Sequence, residues 1–186
     1  MQAIVRKNQT GEPTANGGQF GSKHHSETEA LLLHGSRTVQ SVYGPIEVTP
    51  GVWDSGAIEA YSSGQCVAIA FAISQHEDLL SISAAATTDS DDHRIIHAWA
   101  TVEETDDAMI DSAGRSETRD LFSEYDEAYG PDGWTIERFA TTEEVQSSKL
   151  CAGLPKQDYE TATLMVSAVP NLDGRDFERA WRTRTR

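Results

Sequence analysis

The longest apolar run in the chain, Cys66 to Ile73 within CVAIAFAISQ, sets alanines at 68, 70 and 72 against larger apolar side chains. That alternation suits a strand as well as a buried helix, and periodicity alone does not decide between them. Three local features predict a helix beginning near Gln65. Alanine is a poor strand residue, Ser62 or Ser63 can cap the start, and polar HED closes the run. Beyond it, residues 79–88 (LLSISAAATT) and 93–102 (HRIIHAWATV) read as strands joined by the acidic turn DSDD. A second acidic turn, EETDD at 103–107, leads to AMIDSAG at 108–114. The expectation is therefore a central helix followed by a three-stranded antiparallel meander.

The flanks add smaller pieces. Residues 28–33 and 38–48 read as short extended segments, the second interrupted by Gly44 and Pro45, and residues 49–64 as a turn-rich approach. Residues 116–129 predict an amphipathic helix with Ser116 as its cap and Leu121, Phe122, Tyr125 and Tyr129 on its apolar stripe, ended by GPDG. WTIERFA reads as a strand, TTEEVQSSKL as a capped helical turn, and residues 161–169 (TATLMVSAV) as a last strand. Residues 1–27, rich in glycine and small polar groups, read as a flexible arm, 28–174 as one domain, and 175–186, with five arginines, as a basic tail. The fold class expected is α+β, with the cysteine-bearing helix packed on an antiparallel sheet.

Composition narrows the function. The chain has 186 residues, 38% hydrophobic and 24% charged, which fits a single globular domain. Thirty acidic against 15 basic residues give a formal charge of −15, which argues against a nucleic-acid partner. No apolar run approaches the roughly 20 residues of a membrane span. The N-terminal MQAIVRKNQTGEP has no signal-peptide pattern, so a cytoplasmic location is expected, with Cys66 and Cys151 reduced.

One stretch offers chemistry. Cys66 opens the predicted helix, where unpaired backbone N–H groups and the macrodipole favour a thiolate. His97 lies in a predicted strand and Asp111 ends the next, so a hairpin centred on residue 104 brings the two side chains together. A histidine in reach of the thiol can take its proton, and a carboxylate can fix the ring's tautomer. The backbone N–H of Cys66 and the side chain of Gln65 are the candidate oxyanion donors. Taken singly, a cysteine in an apolar run is more often a small core residue; the order and spacing of the three raise the functional reading.

No metal or cofactor is expected. His24 and His25 read as a solvated pair in the arm. In HRIIH the glutamate of a zinc-protease helix is replaced by Arg94, and Asp89 to Asp92 lacks the glycine and terminal glutamate of a calcium loop. Cys151 reads as structural.

HAWATV followed by MIDSAG resembles the transglutaminase-like pattern of His-x-Trp, a following Val, and an apolar run ending in Asp. SGQCVAIAFA is similar to the cysteine helix of papain-like enzymes. The resemblance spans residues 62 to 114 and implies a papain-like or transglutaminase-like core with Cys66 as nucleophile, His97 as base and Asp111 as orienting group. Gln65 and Trp99 are placed with it as oxyanion and substrate-binding residues. It implies a cysteine hydrolase or acyltransferase acting on an amide-type carbonyl of a peptide or protein. The pieces TGEPTANGGQFG and KHHSE also resemble the arms of small proteins of actinobacteria and their phages, which implies a host-cytoplasmic location if phage-encoded. The competing class is a non-catalytic interaction or structural protein on the same fold.

Overall fold

The computed structural model describes residues 35–76, 80–102, 108–151 and 153–168. In chain order these form β1 (Arg37–Ser41), β2 (Gly44–Val48), α1 (Ser55–Ser62), α2 (Cys66–His76), β3 (Leu80–Thr87), β4 (Ile95–Val102), β5 (Ala108–Asp111) and β6 (Gly114–Glu117). There follow α3 (Thr118–Tyr129), β7 (Trp134–Phe139), α4 (Thr142–Ser147), a 3-10 turn (Lys149–Cys151) and α5 (Tyr159–Ser167). The architecture is α+β. A five-stranded antiparallel sheet runs in the order β6-β5-β4-β3-β7, and β1 and β2 form a separate two-stranded sheet.

The ambiguous apolar run is a helix, and its surroundings explain why it has almost no polar face. From Cys66 to Ala70, and again at Ala72, Ile73 and Ser74, every side chain of α2 is buried. Val67 and Ala70 meet Ala84, Ala86 and Ala98 of the sheet, while Ala68, Ile69, Ala72 and Ile73 meet Ala162, Met165 and Val166 of α5. Small residues on both partners let the elements approach closely, and burial on two sides replaces the one-sided stripe of a surface helix.

The second face of the sheet is aromatic. Ala85, Trp99 and Met109 pack beneath Leu121, Phe122 and Tyr125 of α3 and Trp134 of β7. Side chains alternate along a strand, so Ile82, Ala84, Ala98, Ala100 and Ile110 turn toward α2 and α5 while their neighbours turn toward α3. One irregularity interrupts this alternation. A bulge between Ala85 and Ala86 pairs Ala85 with His97 but Ala86 with Ile95, leaving Ile96 as the extra residue of β4.

Five sequence expectations change. Ser116, read as the cap of the helix at 116–129, lies in β6, and Glu117 is the N-cap of α3. Of the residues read as a last strand, 161–167 belong to the helix α5 (Tyr159–Ser167) and Ala168 is its C-cap. Asp158 caps it, accepting from the Thr161 N–H at 2.9 Å and from the Thr161 hydroxyl at 2.8 Å, and Ala162, Met165 and Val166 recur at helical spacing against α2. Ser62 and Ser63 do not start α2: they are the last residue and the C-cap of α1, a helix that the turn-rich reading of 49–64 missed. The reversal in 38–48 falls at Val42 and Tyr43, so Gly44 and Pro45 lie in β2, paired with Ser41 and Gln40. Asp111 is followed by a tight turn into β6, a strand the sequence reading did not separate. The arm, the segment 28–33, the EETDD turn and the arginine tail lie outside the described residues.

Ile73 is fully buried between these layers. Ile73→Ala is expected to lower unfolding stability by about 2–5 kcal/mol, read as a shift of the urea midpoint with unchanged slope.

Candidate functional site

The helix start that carries Cys66 is held by two glutamines. Gln65, with no solvent exposure, donates from Nε2 to the carbonyls of Gln40 (2.7 Å) and Lys156 (3.1 Å) and accepts from the Asp158 N–H at 2.8 Å. Gln157 answers from the other side. Its Oε1 accepts from the Ala68 N–H at 3.0 Å and its Nε2 donates to the carbonyls of Gly64 (2.5 Å) and Pro155 (3.0 Å). The first-turn N–H groups of a helix have no intrahelical acceptor, so Gln157 supplies the cap that no serine provides. Gly64 is required for closeness as well as conformation: its φ is +138°, and a Cβ there would stand 3.0 Å from the Val42 nitrogen.

His97 and Asp111 meet at the end of the β4–β5 ladder. That ladder pairs Ala100 with Ile110 and Thr101 with Met109, so the hairpin is centred on residue 105 rather than 104. The one-residue shift sets Asp111 opposite Trp99 and makes His97 its diagonal neighbour on the same face, within reach of long side chains. The His97 Nε2–H donates to Asp111 Oδ2 at 2.8 Å. The other carboxylate oxygen, Oδ1, accepts from the Ala113 N–H at 2.8 Å, which fixes the carboxylate in the turn before β6. Next to it, the hydroxyls of Ser112 and Ser62 hydrogen-bond at 2.8 Å, tying this turn to the segment before Cys66.

Cys66 completes the group. All three side chains are buried, Cys66 at 2%, His97 at 8% and Asp111 at 7% exposure. Burial opposes the charged imidazole, but the hydrogen bond to Asp111, the neighbouring Cys66 sulfur and the Asp111 carboxylate outweigh it and push the His97 pKa up to about 10. Since Nε2 is engaged by Asp111, Nδ1 is the ring nitrogen left for the thiol. Burial also pushes the Tyr125 phenol above its ordinary range, with lesser contributions from the charges of Cys66, Tyr129, Asp111 and Glu124. Phe122 of α3 packs on Trp99, which stacks on His97, so α3 lies close over the same group.

Cys66 also lines an open cleft of about 420 Å³, whose walls include Val42 and Tyr43 at the β1–β2 tip, Ser62 to Gly64, Ile95 and Ile96, and Tyr129. His97 and Asp111 do not line it; they lie behind the cysteine on the α3 face of the sheet.

The two residues assigned to oxyanion and substrate contacts stand elsewhere. Both ends of the Gln65 amide are engaged by the main chain, which leaves it an anchor of the loop. Trp99 is 1% exposed, stacks on the His97 ring with centroids 6.2 Å apart, and packs on Phe122 at 6.4 Å. It backs the imidazole and does not face the cleft. Gln157 escaped the sequence reading because its partners lie about 90 residues away in the chain. The sequence signal nearest to it was Asp158, a good helix cap immediately after it. Among the described residues no cluster of three His, Cys, Asp or Glu side chains is arranged to hold a metal ion.

The raised His97 pKa has a definite sign in stability. From the ordinary value of 6.5 up to about 10, the folded state holds a proton at His97 that the unfolded chain has released. The stabilisation from the imidazolium is complete below 6.5 and lost as pH rises through the folded value. The stability advantage of the native protein over His97→Gln should therefore shrink across this window in urea titrations. An advantage that grows with pH would contradict it.

Comparison with known proteins gives no match: no family model, no curated protein and no solved structure corresponds to this chain.

Proposed function

We propose that this chain is a cysteine-dependent hydrolase or acyltransferase with a papain-like or transglutaminase-like core, acting in the cytoplasm on an amide-type carbonyl of a peptide or protein. The observation that carries the reading is the buried His97–Asp111 pair with the Cys66 thiol on the same ring. The order of elements supports it too, with a cysteine at a helix start, a histidine on a strand and an aspartate on the next.

In this reaction His97 enters as the imidazolium, carrying the proton that leaves Cys66 a thiolate, and Asp111 stabilises that charge. The Cys66 sulfur attacks the carbonyl carbon, an S–C bond forms, and the carbonyl electron pair moves onto oxygen. When the tetrahedral centre collapses, the C–N bond breaks and His97 returns its proton to the departing amine. Water or a second amine then attacks the thioester and gives its proton to the now neutral His97, the C–S bond breaks as the second tetrahedral centre collapses, and the thiolate–imidazolium pair is restored. The backbone N–H of Cys66, in the first turn of α2, is the oxyanion donor in this scheme.

The specific observation on the side of a non-catalytic scaffold is that His97 and Asp111 lie behind the cleft. Among the described residues no helix is long and apolar enough to cross a membrane.

Cys151 is the internal control for reactivity, because burial pushes its thiol pKa up and its sulfur is within 3.2 Å of the Val145 carbonyl as a donor. With iodoacetamide at neutral pH, followed by peptide mapping, Cys66 is expected to alkylate faster than Cys151. His97→Gln should slow Cys66 by at least about tenfold. Equal rates at the two cysteines would sink the catalytic reading and leave the scaffold.

A further inference from the structure

We infer that the cleft beside Cys66 selects an acyl donor whose residue at the reacting carbonyl carries a large uncharged apolar or aromatic side chain, gripped between the β1–β2 tip and Tyr129. The inference rests on the catalytic reading of Cys66 and adds the substrate class.

Four large apolar side chains are exposed among the described residues: Val42 (53%), Tyr43 (78%), Tyr129 (42%) and Ile136 (38%). Three of them, Val42, Tyr43 and Tyr129, border the cleft that holds the cysteine. Exposed apolar surface gathered at one concave place marks a contact site, whereas the same residues scattered singly need no explanation.

The tip is built to hold its side chains out. Ser41 Oγ donates to the Gly44 carbonyl at 2.9 Å and accepts from the Tyr43 N–H at 3.1 Å, so the turn is closed by its own side chain. The Val42 N–H donates to the Ser63 carbonyl at 2.8 Å, three residues before the thiol. A turn pinned at both points presents Val42 and Tyr43 at little ordering cost on binding.

Charge points the same way. Arg94 is the cation in the cleft wall, and its Nε lies 3.4 Å from Asp92 Oδ2, also in the wall. The pair neutralises itself, and a charged side chain of either sign would meet its opposite already engaged. What remains is a cleft lined by Ser62, Ser63 and Gly64 and flanked by the aromatic and aliphatic side chains of Val42, Tyr43, Ile95, Ile96 and Tyr129 beside the thiol.

The probes are N-acetyl aminoacyl chloromethyl ketones carrying Phe, Leu, Gly, Asp or Lys side chains. Each alkylates by forming an S–C bond as the C–Cl bond breaks and chloride leaves, and peptide mapping reads the rate at Cys66. Phe and Leu probes are expected to label Cys66 about tenfold faster than the Gly, Asp and Lys probes. In the Tyr43→Ser/Tyr129→Ser double variant the Phe-to-Gly ratio should fall to within about threefold. Thermal unfolding of that variant is checked first, and a single Tyr43→Ser, at the most exposed position, serves if the double variant does not fold.

A flat probe series, a faster Asp or Lys probe, or a preference that survives the tyrosine substitutions overturns the clamp while iodoacetamide still singles out Cys66. If iodoacetamide does not distinguish Cys66 from Cys151, the catalytic reading fails and the clamp falls with it.

Discussion

An imidazole buried to 8% exposure against an aromatic face cannot carry a charge without compensation, and the His97–Asp111 hydrogen bond is that compensation. Much of the local structure follows from keeping it. Asp111 must be a fixed carboxylate, and the Ala113 N–H on its second oxygen fixes it. The ring must not tilt, and Trp99 stacks on it at an interplanar angle of 25°. The tight turn into β6 must stay beside the cysteine loop, and the Ser62–Ser112 hydrogen bond holds it there. Removing either partner of a buried pair leaves the other unpaired, which makes this interaction more expensive to break than its net contribution to folding suggests.

The parts of the site that were legible in the sequence are those whose partners are near in the chain. His97 and Asp111 are 14 residues apart on consecutive strands, so a hairpin brings them together in a register that keeps both on one face. The register itself was legible only to one residue, and that residue decides whether Asp111 faces His97 directly or diagonally, with Trp99 directly opposite. The Cys66 run is a helix, in keeping with its alanine content, whereas the serines offered as its cap end α1. In TATLMVSAV the β-branched Thr and Val fit a strand locally, while the cap at Asp158 and the facing surface of α2 decide for helix. Packing against a distant element overrode local propensity.

The same distance limit explains the glutamines. A Gln beside a candidate nucleophile invites an oxyanion role, but an amide has a fixed number of hydrogen-bonding sites. Two main-chain carbonyls and one N–H already occupy those of Gln65. Together with Gln157 it joins three separated strands of chain, at 40, 64–68 and 155–158, around the start of α2. The position of the cysteine thus depends on α5 and on the two-stranded sheet, neither of which falls within the segment 62–114 that carries the family resemblance.

The sheet places one further constraint on the proposed chemistry. Cys66 belongs to the cluster on the α2 face, whereas alternation puts His97 with Trp99 on the α3 face. In the proposed reaction a substrate carbonyl therefore meets the sulfur from the cleft, and the imidazole meets it from behind. Keeping the sulfur ionised needs only the imidazolium already beside it. Giving the imidazolium proton to a departing amine needs the ring edge to reach the cleft side. The bulged Ile96 lines the cleft and immediately precedes His97 in the chain. As the extra residue of the bulge it is released from strand pairing, so the backbone step that would carry the ring toward a leaving group is the one the ladder already leaves free.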